Sequence, residues 1–496
     1  MTTSARTSVR TWTRRVLWTT LTLSIGLVTL AGVVFAGATA TSQATNQPVP
    51  TSSTGALAAS RQFAAPDDAA NPADVRHGRR LVVAFVVGVG GTVASDVLAP
   101  YDIFASSPAF TTYVVADTLG PAPLEGGPAV VPTYTFAEVD TDPGLTPDLV
   151  VVPALTDPAG AAEAPLRSWV ARQHDDGAKV LGVCSGSLVL AATGMLDGLH
   201  ATSHWSRIGA LEESRPAVHW MRGRRYVEDG SVTTTAAVTS GVPAALHLIA
   251  ELAGPVEAQR VANLHPEWRW TPTEATNIAE DDFTVQDWPV GLDYVMPWFR
   301  PTVGVALTDG VGELDATAAF EVYSQSAAAR TVAIADGDTV RTRHGLVLLT
   351  TTLTNAPDLS RVAVPGVDTL DDLDPRLQVW AGRQELSVEL LASQPGTDGT
   401  VGGGGFSSAL QNLADHTDAA TTSATAKMIG YPTTGLNLGD QHRIGRPVLL
   451  AITGFAFAVL VGLAPAYLAR RQRRRRLANA RTTPPLAAPE AMNVAV

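Results

Sequence analysis

Two long apolar runs stand near the ends of this 496-residue chain, and shorter apolar runs alternate with helical patterns between them. The first long run, Val16 to Ala38, carries no charge and follows Arg10, Arg14 and Arg15. The second, Pro447 to Ala469, ends at Arg470 and Arg471. Each is close to the roughly 20 residues that cross a bilayer. Residues 16–38 are therefore predicted to be a transmembrane helix or an uncleaved signal anchor, and 447–469 a second transmembrane helix. The small residues Ala38, Thr39 and Ala40 leave cleavage open as an alternative. Arginines flank the outer end of each run, which predicts a cell-membrane protein with both termini in the cytoplasm and the main domains extracytoplasmic. Residues 1–15 and 470–496 are then the cytoplasmic ends, the second strongly basic.

Residues 39–78 are Ala-, Thr-, Ser- and Pro-rich without periodicity, the mark of a linker. From 79 to 270 the pattern is that of an α/β domain. Leu81–Val87, Thr111–Ala116, Asp148–Pro153 and Lys179–Val183 are short apolar runs, suited to strands buried on both faces. Helical patterns lie between and after them, over Asp96–Ser106, Pro165–Asp175, Ser187–Ala192, Pro243–Leu252 and Val256–Leu264. Strands alternating with helices predict a parallel sheet covered by helices on both faces.

After a connector at 271–300 the pattern restarts. Thr302–Leu307 matches the first strand, Leu314–Tyr323 matches Ser95–Phe104 in spacing, and Arg361–Gly366 matches Leu149–Ala154. Gly405–Leu410 falls on Gly241–Leu246. The economical reading is an internal duplication. Its second copy, 301–432, is shortened between the Val-Pro strand and the closing helices and expected to lack the elbow described below. Residues 433–446 form a further linker.

Charge narrows the partners. The net charge is −12 although the first sixty residues hold no Asp or Glu, so the middle of the chain is distinctly acidic. An acidic body is a poor match for phosphates, and no nucleic-acid partner is expected. One cysteine, Cys184, excludes an intramolecular disulfide and any multi-cysteine metal site. No phosphate-binding glycine loop or metal-ligand spacing is visible, so no cofactor is expected.

Cys184 follows the strand Lys179–Val183 and precedes a helix, among the small residues Gly182, Ser185, Gly186 and Ser187. A side chain at such a strand-to-helix turn sits beside free backbone N–H groups, which can lower a thiol's pKa and hold an oxyanion. A lone buried cysteine is also an ordinary small hydrophobe. The series Gly182–Ser187, Met195–Gly198, Ala201–Trp205 and Arg225–Gly230 resembles the ThiJ/PfpI branch of the class I glutamine amidotransferase-like superfamily, with its flavodoxin-like fold. The pattern is nearest to the sensor-like domain of some AraC-type regulators and to isocyanide hydratase. The likeness covers roughly residues 80–265 and, more weakly, 301–430. It implies Cys184 as nucleophile, with Ser185 and Gly186 completing the elbow and Asp96 hydrogen-bonded to the thiol. A helix N-cap is the plain alternative for Asp96. His204 and Trp205 fall in the family's pocket region, His204 with a structural reading preferred. Ser185 stands where proteolytic relatives carry a base, and Pro243 replaces an acidic pocket position.

Three functions remain open at this point. The first is small-molecule binding or redox sensing through Cys184. The second is a cysteine-dependent hydrolase, hydratase or glyoxalase-type enzyme acting on small electrophiles. The third is a scaffold in which the two copies pack as an intramolecular pseudo-dimer, a homodimer being the other assembly considered.

Overall fold

The computed structural model describes residues 24–40, 79–268, 270–298, 300–392, 405–438 and 446–482. A seven-stranded sheet fills the first half. Its order is Tyr226–Asp229, Val232–Thr235, Lys179–Gly182, Leu149–Val152, Leu81–Val86, Phe110–Ala116 and Tyr134–Thr135. All pairs are parallel except the outer hairpin 226–235. The central strand Leu81–Val86 is buried along its whole length. An unbroken apolar run there is what a strand covered on both faces requires.

The second half builds a five-stranded parallel sheet in the order Thr351–Thr352, Arg330–Ala335, Thr302–Ala306, Arg361–Pro365 and Val388–Leu391. This is the central order of the first sheet without the hairpin 226–235. Register carries the correspondence down to residues. Val83 faces Leu149 and Val303 faces Arg361, while Val150 faces Val180 and Val362 faces Val388. The elbow strand Lys179–Gly182 therefore has a counterpart in Val388–Leu391, and Cys184 falls on Ala392. The sequence pattern expected the elbow segment itself to be missing. The ladder places a strand, Val388–Leu391, at that position, and the residues that would follow as the elbow, 393–404, lie outside the described residues.

A third sheet joins the halves. Thr339–Arg341 and Val347–Leu349 continue into Ala129–Val130, Ala122–Glu125 and Thr92–Val93. Leu348 pairs antiparallel with Val130, and Val131 N–H donates to Val347 O at 2.9 Å. Helix Ala94–Ala105 packs against helix Glu313–Ser326 along the same boundary. One hydrophobic cluster runs through both halves and includes Phe85, Leu98 and Phe104 with Phe320, Tyr323 and Leu410. Each fully buried Phe or Leu there contributes about 1.5–3 kcal/mol. The other face of each main sheet packs a cluster of its own, around Trp169 in the first half and around Ile334 in the second, so the halves share one core layer and keep one each.

A helix stands toward each end of the described residues. Arg446–Thr482 is one continuous helix, and its stretch Ala451–Gln472, mean hydropathy 1.9 and largely outward-facing, is long and apolar enough to cross a membrane. Two such spans were expected. The N-terminal apolar helix described, Ser24–Ala40, is shorter, and residues 16–23 of the expected span lie outside the described residues. The two helices touch where a Cβ on Gly26 would lie 3.5 Å from Ala458 O.

Candidate functional site at Cys184

Cys184 is buried and holds φ +53°, left-handed backbone that costs an L-residue about 1–2 kcal/mol. The surroundings force it. Cys184 N–H donates to Thr235 Oγ1 at 2.9 Å, and Gly186 N–H closes the turn on Val183 O at 2.7 Å. The next helix must then start hard against the neighbouring strand, where a Cβ on Gly186 would lie 2.1 Å from Val152 O. Gly186 is present because nothing larger fits. With its N–H committed to the turn, it is no oxyanion donor. The backbone N–H beside the thiol is that of Ser185.

Asp96 lies in the first turn of helix Ala94–Ala105 and is fully buried. It is not the N-cap, a position held by Val93. Its Oδ2 accepts from Ala154 N–H at 2.9 Å, while Oδ1 has no hydrogen-bond partner. The expected bond from the thiol to Asp96 is therefore not made. Sγ lies 4.0 Å from Ser185 Oγ.

Two further carboxyls complete the site, and neither follows from the family motif. Glu321 reaches across from helix Glu313–Ser326, where Oε2 accepts from Ser95 Oγ at 2.6 Å and Oε1 from Gln325 Nε2 at 2.8 Å. Glu125 ends the strand Ala122–Glu125. The repeat itself held the missing signal, since Glu321 occupies the position of Asp102 in the matched helices.

Burial and mutual repulsion set the protonation states. Burial, then the charges of Asp96 and Glu321, push the Cys184 thiol well above its ordinary range. Burial raises Asp96 strongly, with Glu321 and Glu125 adding to it against the Ala154 N–H. Glu125 is held up at about 7 by burial and by Glu321. Glu321 is also raised, again chiefly by burial. The resting thiol keeps its proton, opposite to the thiolate that a helix N-terminus alone would favour.

His204 caps helix Trp205–Ser214. Nδ1 accepts from Ser206 N–H at 3.3 Å, so Nε2 carries the proton it donates to Met428 O at 2.7 Å. Burial lowers its pKa to about 4. With both ring nitrogens engaged, His204 is a structural tie between the halves and not a base for Cys184. Trp205 ties the same place, its Nε1–H donating to Lys427 O at 3.2 Å. Its ring lines a neighbouring groove instead of the Cys184 cavity.

The cavity itself has a volume of about 810 Å³, within the range of small-molecule sites. Cys184, Ser185 and His204 come from the first half, Gln325 and Met428 from the second, and Trp288 and Tyr294 from the connector. Helix Trp288–Val295 forms this connector wall. Its far end meets both terminal helices. A Cβ on Gly37 would lie 1.6 Å from Val295 O, and one on Gly454 would lie 3.1 Å from Met296 Cε.

Comparison with known proteins follows this geometry. The DJ-1/PfpI family profile matches residues 82–251. The chain is 33% identical over 184 residues to the isonitrile hydratase of Pseudomonas putida, a match spanning 36% of this chain and 74% of that protein. It is 34% identical over 142 residues to the HTH-type transcriptional regulator CdhR of Pseudomonas aeruginosa, spanning 28% of this chain and only 41% of the regulator. A solved THiJ/PfpI family protein from Pseudomonas syringae is 31% identical, with a TM-score of 0.35 over 42% of this chain and 84% of that one.

Proposed function

The chain belongs to the DJ-1/PfpI family, and from that premise we propose that it is a membrane-anchored, extracytoplasmic binding protein that senses a small neutral molecule in the Cys184 cavity. The observation that carries this reading is the connector helix Trp288–Val295. One side of it lines the cavity, and its end rests on Gly37 and Gly454 of the two terminal helices. A ligand that shifts the helix shifts its seat on those helices. The chemistry of the cavity supports binding over oxidant sensing, because peroxide reacts with thiolates and this thiol is held neutral. Trp288, Tyr294 and Met428 offer apolar contact, and the carboxyl of Glu125, held up at about 7, offers a hydrogen bond to a neutral ligand.

The repeated strand order and the core layer shared between the halves support an internal duplication, the second copy acting as a built-in dimer partner. The arginine block after Ala469 supports a cytoplasmic C-terminus. Labelling of cysteines introduced at Thr2 and at Val494, in intact and permeabilised cells of the Cys184→Ser protein, tests the sidedness. Labelling of either without permeabilisation overturns it.

A second reading, hydration of a small electrophile, rests on the relation to isonitrile hydratase. Cys184 Sγ would add to the electrophilic carbon while its proton passes to the substrate, Asp96 relaying it. Water would then displace the thiol. Turnover of a simple alkyl isonitrile by the full chain, absent in Cys184→Ser, would establish that reading. Saturable binding without turnover, retained in Cys184→Ser, is the result expected for a sensor.

A further inference from the structure

A different set of donors from both halves gathers at the opposite end of the helix pair. Asp102 comes from helix Ala94–Ala105, Glu313 from the start of helix Glu313–Ser326, and His344 from the turn between Thr339–Arg341 and Val347–Leu349. Asp102 and Glu313 are fully buried and His344 is largely so. One ligand atom from each lies within 4.8 Å of the other two. His344 Nδ1 is 3.0 Å from Glu313 Oε2 and 3.4 Å from Asp102 Oδ1. Donors bound at about 2.0–2.2 Å to a first-row divalent ion stand roughly 3.0–3.4 Å apart in tetrahedral or octahedral geometry.

The free atoms point the right way. Asp102 Oδ1 is buried with no hydrogen-bond partner, which at such a site is unusual. Its other oxygen accepts from Leu314 N–H at 3.0 Å. Glu313 Oε1 is held by His344 N–H at 2.9 Å and Thr342 Oγ1 at 2.5 Å, leaving Oε2 to face the cluster. Each carboxylate is therefore oriented by an outer partner, as metal-binding carboxylates are. His265 Nε2, 4.0 Å from Asp102 Oδ1, is the next donor outward. Glu267, Asp315 and Arg343 also face the cluster.

We propose that Asp102 Oδ1, Glu313 Oε2 and His344 Nδ1 bind a divalent first-row cation, Zn²⁺ being the ion best matched to this nitrogen and oxygen set. Two carboxylates and a neutral imidazole balance its charge. Binding displaces the proton His344 Nδ1 shares with Glu313 and releases it to solvent. Since the ligands come from both halves, the ion ties them together beneath the shared core.

The test uses the full chain in detergent, stripped with EDTA and then equilibrated with Zn²⁺. Expected is one Zn²⁺ per chain by elemental analysis, in the wild type and in Cys184→Ser alike. Affinity should fall by on the order of a hundredfold or more in Asp102→Asn and His344→Gln. Replacement with Co²⁺ should give visible bands that both variants lose. Asn can still accept from Leu314 N–H, and the partly exposed His344 tolerates Gln, so at least one variant reports on a folded protein. Absence of bound Zn²⁺ in the wild type overturns the proposal, as does binding unchanged in whichever of the two variants folds, or binding lost only in Cys184→Ser.

Discussion

Ser95 donates to Glu321 Oε2 at 2.6 Å, joining the first turn of one half's helix to the middle of the other's. The reciprocal position makes the reciprocal contact, Leu314 N–H to Asp102 Oδ2 at 3.0 Å. Each half thus plants a carboxylate at the helix start of its partner, where N–H groups and the helix dipole receive it. For Glu321 the consequence is a carboxyl near Cys184 supplied by the other half.

Removing that carboxylate should be costly. Glu321→Ala leaves Ser95 Oγ–H buried without a partner, a loss of about 1–3 kcal/mol. Urea unfolding of the full chain in detergent, followed by tryptophan fluorescence, should show a lower midpoint. A midpoint equal to wild type would mean that the contact adds nothing to the joint.

Cys184 should be a slow nucleophile. Alkylation by iodoacetamide should rise only at a pH well above that of a free thiol, because burial and then Asp96 hold the proton on. Asp96→Asn takes away a neighbouring charge and should move the midpoint of the rate–pH curve down by roughly one pH unit or more. A wild-type curve centred below pH 8 would contradict the neutral thiol and restore oxidant sensing as the better reading.

Stability should fall between pH 5.5 and 7.5 through Glu125 and Asp315. Both are held up at about 7, chiefly by burial. The folded state keeps protons that the unfolded chain gives up nearer pH 4. Their contribution is complete below about pH 4 and is lost as pH rises through 7. His204, lowered to about 4, acts in the opposite sense, its contribution failing as pH drops below about 6.5. The single-residue effect is therefore read from variants. Glu125→Gln and Asp315→Asn should each reduce the pH 5.5-to-7.5 loss by about 1–2 kcal/mol relative to wild type. Unfolding curves at the two pH values check this.

The terminal helices should cross-link. In a Cys184→Ser background, Gly26→Cys paired with Ala458→Cys should oxidise to an intramolecular disulfide in membranes, since a Cβ on residue 26 meets the backbone of residue 458 at 3.5 Å. Gly37→Leu should weaken that pairing by forcing the first helix off Val295 O. Cross-linking unaffected by Gly37→Leu would detach the connector from the helices and with it the sensing route.

Apolar periodicity in the chain determined the strands from Leu81 and from Thr302, the helices beside them, the elbow at Cys184 and the candidate second span, because these depend on near neighbours in sequence. The same periodicity placed strands and helices of matching spacing in the second half. It did not determine the register of the second sheet, which puts Ala392 in place of Cys184. Nor did it determine which groups surround the thiol. Glu125 and Glu321 stand far from Cys184 along the chain, Glu125 brought in by the folding of its own half and Glu321 by the packing of the second half against the first. Tertiary structure alone turned Asp96 toward Ala154 and engaged His204 Nε2 with Met428 O. It also brought Asp102, Glu313 and His344 within reach of one ion. Burial and long-range charge act through space, and the protonation of Cys184 follows from them rather than from the motif that carries it.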